Sequence, residues 1–209
     1  MSASGAPALP SPKFARTIDI GLVSGVVIVK PVAGPSFQLG PQDENIPVGS
    51  EIDTSKGEVD LRSAFAPGQA SAASAVQDAQ FRGALFKIVQ RRAQHGLTVA
   101  DLVTTRTMRD RCSAVAGSAS SPGQLSKRVL QSLRAQDSSG HFSTRGRYSA
   151  ATVRGTVWIT TYRCDGTLTT VRRGTVDVRD FVSRKTVVVH AGHSYLASAP
   201  RGGPALRAG

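Results

Sequence analysis

The chain has 209 residues, with 26 lysines and arginines against 14 acidic residues and a formal net charge of +12. This length supports one hydrophobic core, or one core with an insertion, because domains usually hold about 100–200 residues. The sequence contains no run of about 18 apolar residues, which excludes a membrane-spanning helix. Valine and threonine are abundant, and such β-branched residues favour strands, so we expect a mostly β protein.

The two ends of the chain differ in composition from its middle. Residues 1–16 and 199–209 are rich in Ala, Ser, Pro and Gly, and we interpret them as a flexible linker and a flexible tail. The N-terminus has neither a basic n-region nor an apolar h-region, so it is not a signal peptide. We expect one domain over residues 17–198, cut from a longer chain, with an insertion around residues 66–140.

The first predicted strand covers residues 17–30 and ends at Pro31, since proline cannot donate to a strand ladder. Residues 46–52 and 58–62 then form a predicted hairpin around a turn at residues 55–57. Residues 66–80 have low complexity and are predicted to form an exposed loop. A strand over residues 81–90 follows, and then a strand or short helix over residues 96–105.

One amphipathic helix is predicted over residues 124–136, after a loop at residues 107–123. Leu125, Val129 and Leu133 lie on one stripe of such a helix, whereas Lys127 and Arg128 point to solvent. From residue 141 onward strand signals are dense, with Asp165-Gly166 as a hairpin turn. The strands predicted there cover residues 142–148, 152–162, 168–172, 175–180, 186–190 and 194–197.

The only two cysteines are Cys112 and Cys164. Their separation fits no zinc, haem or thioredoxin motif. We expect them to form a single disulfide, which is typical of an oxidising compartment. Two unrelated buried thiols are the alternative.

A short pattern of glycine, any residue, valine, any residue and an aliphatic residue recurs four times. Each glycine supplies a turn or bulge, and the apolar pair that follows faces one side of a strand. Such units predict an antiparallel meander wound into a sandwich, roll or solenoid-like domain. The four copies begin at Gly25, Gly57, Gly155 and Gly174.

The motif Val153-Arg154-Gly155-Thr156, followed by Gly174 and Gly192, carries a family resemblance. With these residues, segments 23–65 and 141–196 resemble the FecR-like domain, in the form found in secreted actinobacterial proteins. Residues 66–140 depart from the short connection of most family members. The resemblance implies a β-rich extracytoplasmic module, extracellular or in the cell envelope, that senses or binds a protein or envelope partner.

Residues suited to catalysis lack the arrangement that it requires. His190 and His193 are close in sequence, but they point in different directions and have no matching third ligand. Asp165 is explained by its turn, and Asp177 and Asp180 lie among arginines that suit cross-strand ion pairs. No Ser or Cys nucleophile motif is present. We therefore expect a non-catalytic protein without a metal or other cofactor.

The net charge favours an alternative function, the binding of a polyanion such as nucleic acid or a cell-wall polymer. Trp158 lies among the arginines of this region and suits base stacking, but its strand position favours the core. A structural spacer in a multidomain surface protein is a third hypothesis. The candidate binding surface consists of Arg145, Arg147, Arg154, Arg163, Arg172 and Arg173.

Overall fold

The computed structural model of the protein describes residues 11–68, 75–94, 96–116, 126–139, 141–153 and 155–200. These ranges contain fifteen strands, one α-helix and one short 3-10 helix over Arg92–Gln94, so the prediction of a mostly β protein is confirmed. The elements are β1 (Thr17–Lys30), β2 (Phe37–Gln38), β3 (Glu44–Pro47), β4 (Glu51–Ala64), β5 (Val76–Arg82), β6 (Leu85–Gln90), β7 (Thr98–Leu102), α1 (Arg106–Ala116), β8 (Val129–Ser139), β9 (Phe142–Arg145), β10 (Ser149–Val153), β11 (Val157–Arg163), β12 (Gly166–Arg173), β13 (Thr175–Asp180), β14 (Thr186–His190) and β15 (Ser194–Ser198).

The sheet divides at β4. One edge of β4 pairs with β1 along most of its length, while β5 and β6 share the other edge. From there two arms run apart. The β6 arm continues through β7, β9, β10 and β13 to β14, and the β5 arm continues through β8, β11 and β12 to β15. Of the pairings between described strands, only that of β7 with β9 is parallel.

The two arms face each other across one hydrophobic core. Phe81 on β5 packs against Phe142 on β9, with ring centroids 6.1 Å apart. The indole N–H of Trp158 on β11 donates to Thr144 Oγ1 on β9 at 2.8 Å, so Trp158 belongs to the core as expected. Residues 191–193 link β14 to β15 and join the arms at their far end, which gives a nearly closed roll.

Strand formation follows the alternation of side chains along the chain. In β13, Val176 and Val178 are buried, whereas Thr175, Asp177 and Arg179 are exposed. A period of two places the valines against the facing arm and the polar residues in water. The β-branched residues also fit the pleated surface better than a helix.

The helix predicted over residues 124–136 is wrong. Residues 129–136 belong to β8, and the preceding residues 126–128 have no regular structure. Leu133 and Ala135 are buried at a spacing of two, while Val129, part of the predicted stripe, is 54% exposed. β8 lies between β5 and β11, and these two ladders satisfy its backbone on both sides.

Further local predictions are corrected. The single strands expected over residues 81–90 and 152–162 are each divided between two strands, β5 and β6 in the first case and β10 and β11 in the second. The turn expected at residues 55–57 is instead the middle of the continuous strand β4. The loop expected at residues 66–80 ends early, because β5 begins at Val76 and buries Gln77 and Ala79. The loop expected at residues 107–123 contains α1 in its described part. Its first turn is capped by Thr105, whose Oγ1 accepts the Met108 N–H at 3.3 Å.

The predicted disulfide is confirmed. Cys112 on α1 is bonded to Cys164 in the turn between β11 and β12, across a sequence separation of 52 residues. The bond fastens the α-helix to the β5 arm. The segment expected to be an insertion, residues 66–140, contributes β5, β6, β7 and β8 to the sheet.

Candidate functional site

At one end of the β6 arm, the turn between β9 and β10 lies beside the loop between β13 and β14. Neighbouring strands β10 and β13 bring these two segments together. The Phe181 N–H donates to Tyr148 O at 2.9 Å, which ties the loop to the turn. This hydrogen bond joins residues that are more than thirty positions apart in sequence.

The facing β5 arm ends at the same place. A Cβ at Gly146, in the β9–β10 turn, would lie 2.6 Å from Thr167 Cγ2 at the start of β12. The adjacent turn holds the segment before β8, because the Cys164 N–H donates to Arg128 O at 3.1 Å. Both arms therefore contribute side chains to this end of the molecule.

Exposed cations from both arms gather here. Two acids of this end do not face solvent as free charges, since Asp180 is 4% exposed and the Asp165 carboxylate pairs with Arg163. The excess of positive charge makes this end a candidate site for an anionic partner. We call it the basic end, and its exposed cations are Lys127, Arg128, Arg145, Arg147, Arg179, Arg184 and Lys185.

Asp180 fixes the conformation of the β13–β14 loop through hydrogen bonds to its backbone. Its Oδ1 accepts the N–H groups of Val182 and Ser183 at 2.8 and 3.0 Å, and its Oδ2 accepts the Tyr195 hydroxyl at 2.8 Å. Burial raises the pKa of Asp180, but these hydrogen bonds to the charged form outweigh it and hold the pKa below its usual value. Hydrogen bonding to Asp180, with burial, raises the pKa of Tyr195. The loop is thus held in place by an ionised carboxylate that faces inward.

Aromatic rings support two of the cations. The Arg145 guanidinium lies 5.2 Å from the centroid of the Phe181 ring, and the Arg147 guanidinium lies 5.5 Å from that of Tyr148. Contacts of this type restrict long side chains that would otherwise sample many rotamers. Phe181 and its neighbour Val182 nevertheless remain 37% and 45% exposed.

A groove of about 230 Å³ runs from Phe181 and Arg145 along the outer face of the β6 arm. Two of its lining residues, Ala150 and Thr152, have small side chains. Asp101 lies opposite Arg145 in the β7–β9 ladder. Burial raises the pKa of Asp101 despite the nearby positive charges of Arg145, Arg91 and Lys87. The groove extends the candidate site with a mixed, partly apolar floor.

The arginines expected to form one binding surface lie in different places. Arg145 and Arg147 belong to the basic end. Arg163 lies near it, but its Nε donates to Asp165 Oδ1 at 2.8 Å, and its side chain is only 15% exposed. Arg172 and Arg173 are exposed at the opposite end of β12. Arg154 lies outside the described residues.

The described residues among those quoted for the resemblance to FecR-like domains occupy structural positions. Val153 and Thr156 are buried. Gly155, Gly174 and Gly192 adopt positive φ angles of 62°, 80° and 83°, which suit glycine. These residues shape the end of the roll away from the basic end, and none of them belongs to the candidate site.

The remaining chemical candidates also have local partners. His190 Nδ1 lies 3.3 Å from Thr175 Oγ1, and His193 Nδ1 lies 3.1 Å from Ala191 O. Among the described residues, no group of three or more His, Cys, Asp or Glu is placed to hold a metal ion. The β13–β14 loop was not predicted as a site from the sequence. Its signal is an apolar pair, Phe181-Val182, set within a short run rich in basic residues.

In the described ranges, no helix has the length and apolar character needed to cross a bilayer. Comparison of the chain with known protein families, curated proteins and solved structures finds no match.

Proposed function

We propose that the protein is a non-catalytic, extracytoplasmic binding module of the FecR-like type that holds an anionic partner at its basic end. The observation that carries the proposal is the gathering of seven exposed cations from both arms at one end of the roll. The disulfide between Cys112 and Cys164 is compatible with an exported protein. The resemblance of residues 23–65 and 141–196 to FecR-like domains supports the same assignment.

Binding, rather than chemistry, fits the way in which the titratable groups of this end are used. Asp180 and Tyr195 bond to each other, and Asp180 also holds the amides of its loop. Their shifted pKa values therefore have a structural cause. Arg145 and Arg147 are supported by aromatic rings and present their charge outward.

Salt dependence provides the first test. A polyanion releases counterions when cations neutralise it, and for duplex DNA the slope of log K against log salt is about −0.9 per contact. Binding at the basic end by several of its cations therefore predicts affinity that falls steeply with salt. Retention on heparin at low salt and fluorescence titration with short duplex DNA measure this dependence.

Paired charge-removing variants locate the site. Arg179→Gln with Lys185→Gln removes two exposed cations from the basic end, and Arg172→Gln with Arg173→Gln removes two from the opposite end of β12. We expect the first variant to bind DNA at least tenfold more weakly, with a salt slope smaller by about 2. The second should stay within about threefold of the original chain. Equal losses in both variants would contradict a localised site.

A further inference from the structure

Building on the proposed function, we propose that the anionic partner is a lipid bilayer surface, into which Phe181 and Val182 insert while the surrounding cations contact the headgroups. Such a partner is an anionic interface with an apolar layer beneath it.

The exposed apolar pair favours a bilayer over a soluble polyanion as the partner. Phe181 and Val182 are consecutive, 37% and 45% exposed, and lie in the same loop as Arg184 and Lys185. A nucleic acid or other soluble polyanion attracts the cations, but Phe181 is the one aromatic ring of this loop and the Arg145 guanidinium lies over it. The loop therefore lacks the series of aromatic rings on which successive bases stack. A bilayer interface takes up apolar side chains and binds basic residues next to them.

The loop is already shaped for such a contact. Asp180 holds the amides of Val182 and Ser183, and the Asp180 N–H donates to Lys185 O at 2.8 Å, which closes the loop on itself. The Asp180 carboxylate faces the Tyr195 hydroxyl in the interior, so it does not oppose the negatively charged headgroups. Little conformational entropy remains to be lost when the loop inserts.

The charge around the loop matches an anionic surface. Arg145 lies over the Phe181 ring, and Arg147 lies over Tyr148, so cations flank the apolar pair on the turn side. Lys127 and Arg128 reach the same end from the facing arm, next to Val129, which is 54% exposed. Each basic residue near a negatively charged leaflet adds to the attraction, and the effect falls off within a Debye length.

The test uses vesicles of phosphatidylcholine and phosphatidylglycerol in equal parts, with pure phosphatidylcholine vesicles as the neutral comparison. We expect the full chain to co-sediment with the first and not with the second. Phe181→Ser with Val182→Ser should lower binding to the anionic vesicles, because the apolar area that enters the bilayer is lost. We expect a loss of about tenfold and no more, since less than half of each side chain is exposed and available for burial. The variant's affinity for heparin should fall far less than its affinity for the vesicles, because every cation of the basic end remains and only the ring beside Arg145 is lost.

Val23→Ser with Val26→Ser provides the matched control, since it removes an apolar pair of similar exposure, 46% and 41%, from β1. That variant should bind anionic vesicles like the original chain. In a Phe181→Trp variant, the emission of the new indole should shift to the blue on binding and be quenched by brominated lipid. These two readouts report insertion directly.

The outcomes separate the two proposals. Binding to heparin without binding to anionic vesicles would overturn the lipid assignment and leave the anionic-partner function intact. Vesicle binding that is insensitive to Phe181→Ser with Val182→Ser, or a Phe181→Trp emission that does not shift, would also overturn it. Binding to neither heparin nor anionic vesicles would reject both proposals.

Discussion

Asp180 shows how one residue can organise the candidate site without touching a ligand. It is buried, yet it accepts two loop amides and the Tyr195 hydroxyl. A buried carboxylate is tolerated when hydrogen bonds replace its water, and here they also lower its pKa. The conformation of the β13–β14 loop therefore depends on the ionisation of Asp180, which is buried beneath the loop.

The Asp180→Asn variant tests this dependence through pH. A carboxyl whose pKa is lower in the folded state than in the unfolded state adds stability above its unfolded pKa, about 3.9. That stability is lost as the pH falls through the folded-state pKa. We expect the variant to lose about 1–3 kcal/mol of unfolding free energy at pH 7, from weaker hydrogen bonds to a neutral group. Urea denaturation at a series of pH values should show this difference shrinking below about pH 4.

Asp177→Asn is the control for this experiment, because Asp177 is exposed on the same strand. It should change the unfolding free energy by no more than about 0.5 kcal/mol. If the loss in Asp180→Asn were constant down to pH 2, or grew with acidity, the ionised form of Asp180 would not be what holds the loop.

At the scale of elements, the sequence predicted strands well where the side chains alternate and failed where buried polar residues interrupt the pattern. β13 and β14 were predicted with their observed bounds. In β8, Gln131 is buried because its side chain bonds to Leu85 N and Val103 O, partners on the other arm. Such partners cannot be read from the local sequence. The apolar residues of β8 therefore resembled a helical stripe by coincidence.

The repeated glycines show a relation between elements that the pattern alone did not reveal. Gly25 and Gly57, from two copies, are cross-strand partners in the β1–β4 ladder. A Cβ at Gly57 would lie 2.7 Å from the carbonyl oxygens of Ser24 and Val26, so the two backbones approach too closely for side chains. In the third copy, a register shift lies between Val157 and Trp158, and both residues are buried. The repeat thus marks close approaches and bulges as well as strands.

Two glycine substitutions separate backbone strain from crowding. Gly25 and Gly34 both have positive φ, 71° and 97°, but a Cβ at Gly25 would collide with Lys56 O, whereas one at Gly34 meets nothing within 4 Å. We expect Gly34→Ala to cost about 1–2 kcal/mol from the left-handed backbone alone. Gly25→Ala should cost at least about 3 kcal/mol, since strain and overlap add. Chemical denaturation of the two variants measures the difference. Equal losses would mean that β1 and β4 separate easily at this point.

At the scale of the whole molecule, the basic end results from strand order. Arg145 and Arg147 were expected to belong to a binding surface because they are close in sequence. Lys185 and its loop join them only because β13 pairs with β10, a contact over about thirty residues that composition does not encode. Arg172 was expected on the same surface, yet β12 carries it to the opposite end. The sequence could therefore predict a basic surface, but not which cations share it.

The disulfide gives the last prediction, which concerns the stability of the whole roll. A bond across 52 residues removes conformational freedom from the unfolded chain, worth about 4 kcal/mol in the chain-entropy model. Cys112→Ser with Cys164→Ser should lose about this amount in urea denaturation, and reductant should lower the stability of the original chain equally. The double variant itself should not respond to reductant, which makes it the internal control.

The same bond tests the proposed compartment. Unreduced protein purified from its host should be lighter than the reduced protein by two hydrogen atoms in intact-mass measurement. Two free thiols in protein from its host would argue against an extracytoplasmic module. Retained heparin and vesicle binding in Cys112→Ser with Cys164→Ser would show that the bond stabilises the roll without shaping its basic end. We expect this result because Asp180 holds the β13–β14 loop independently of the bond.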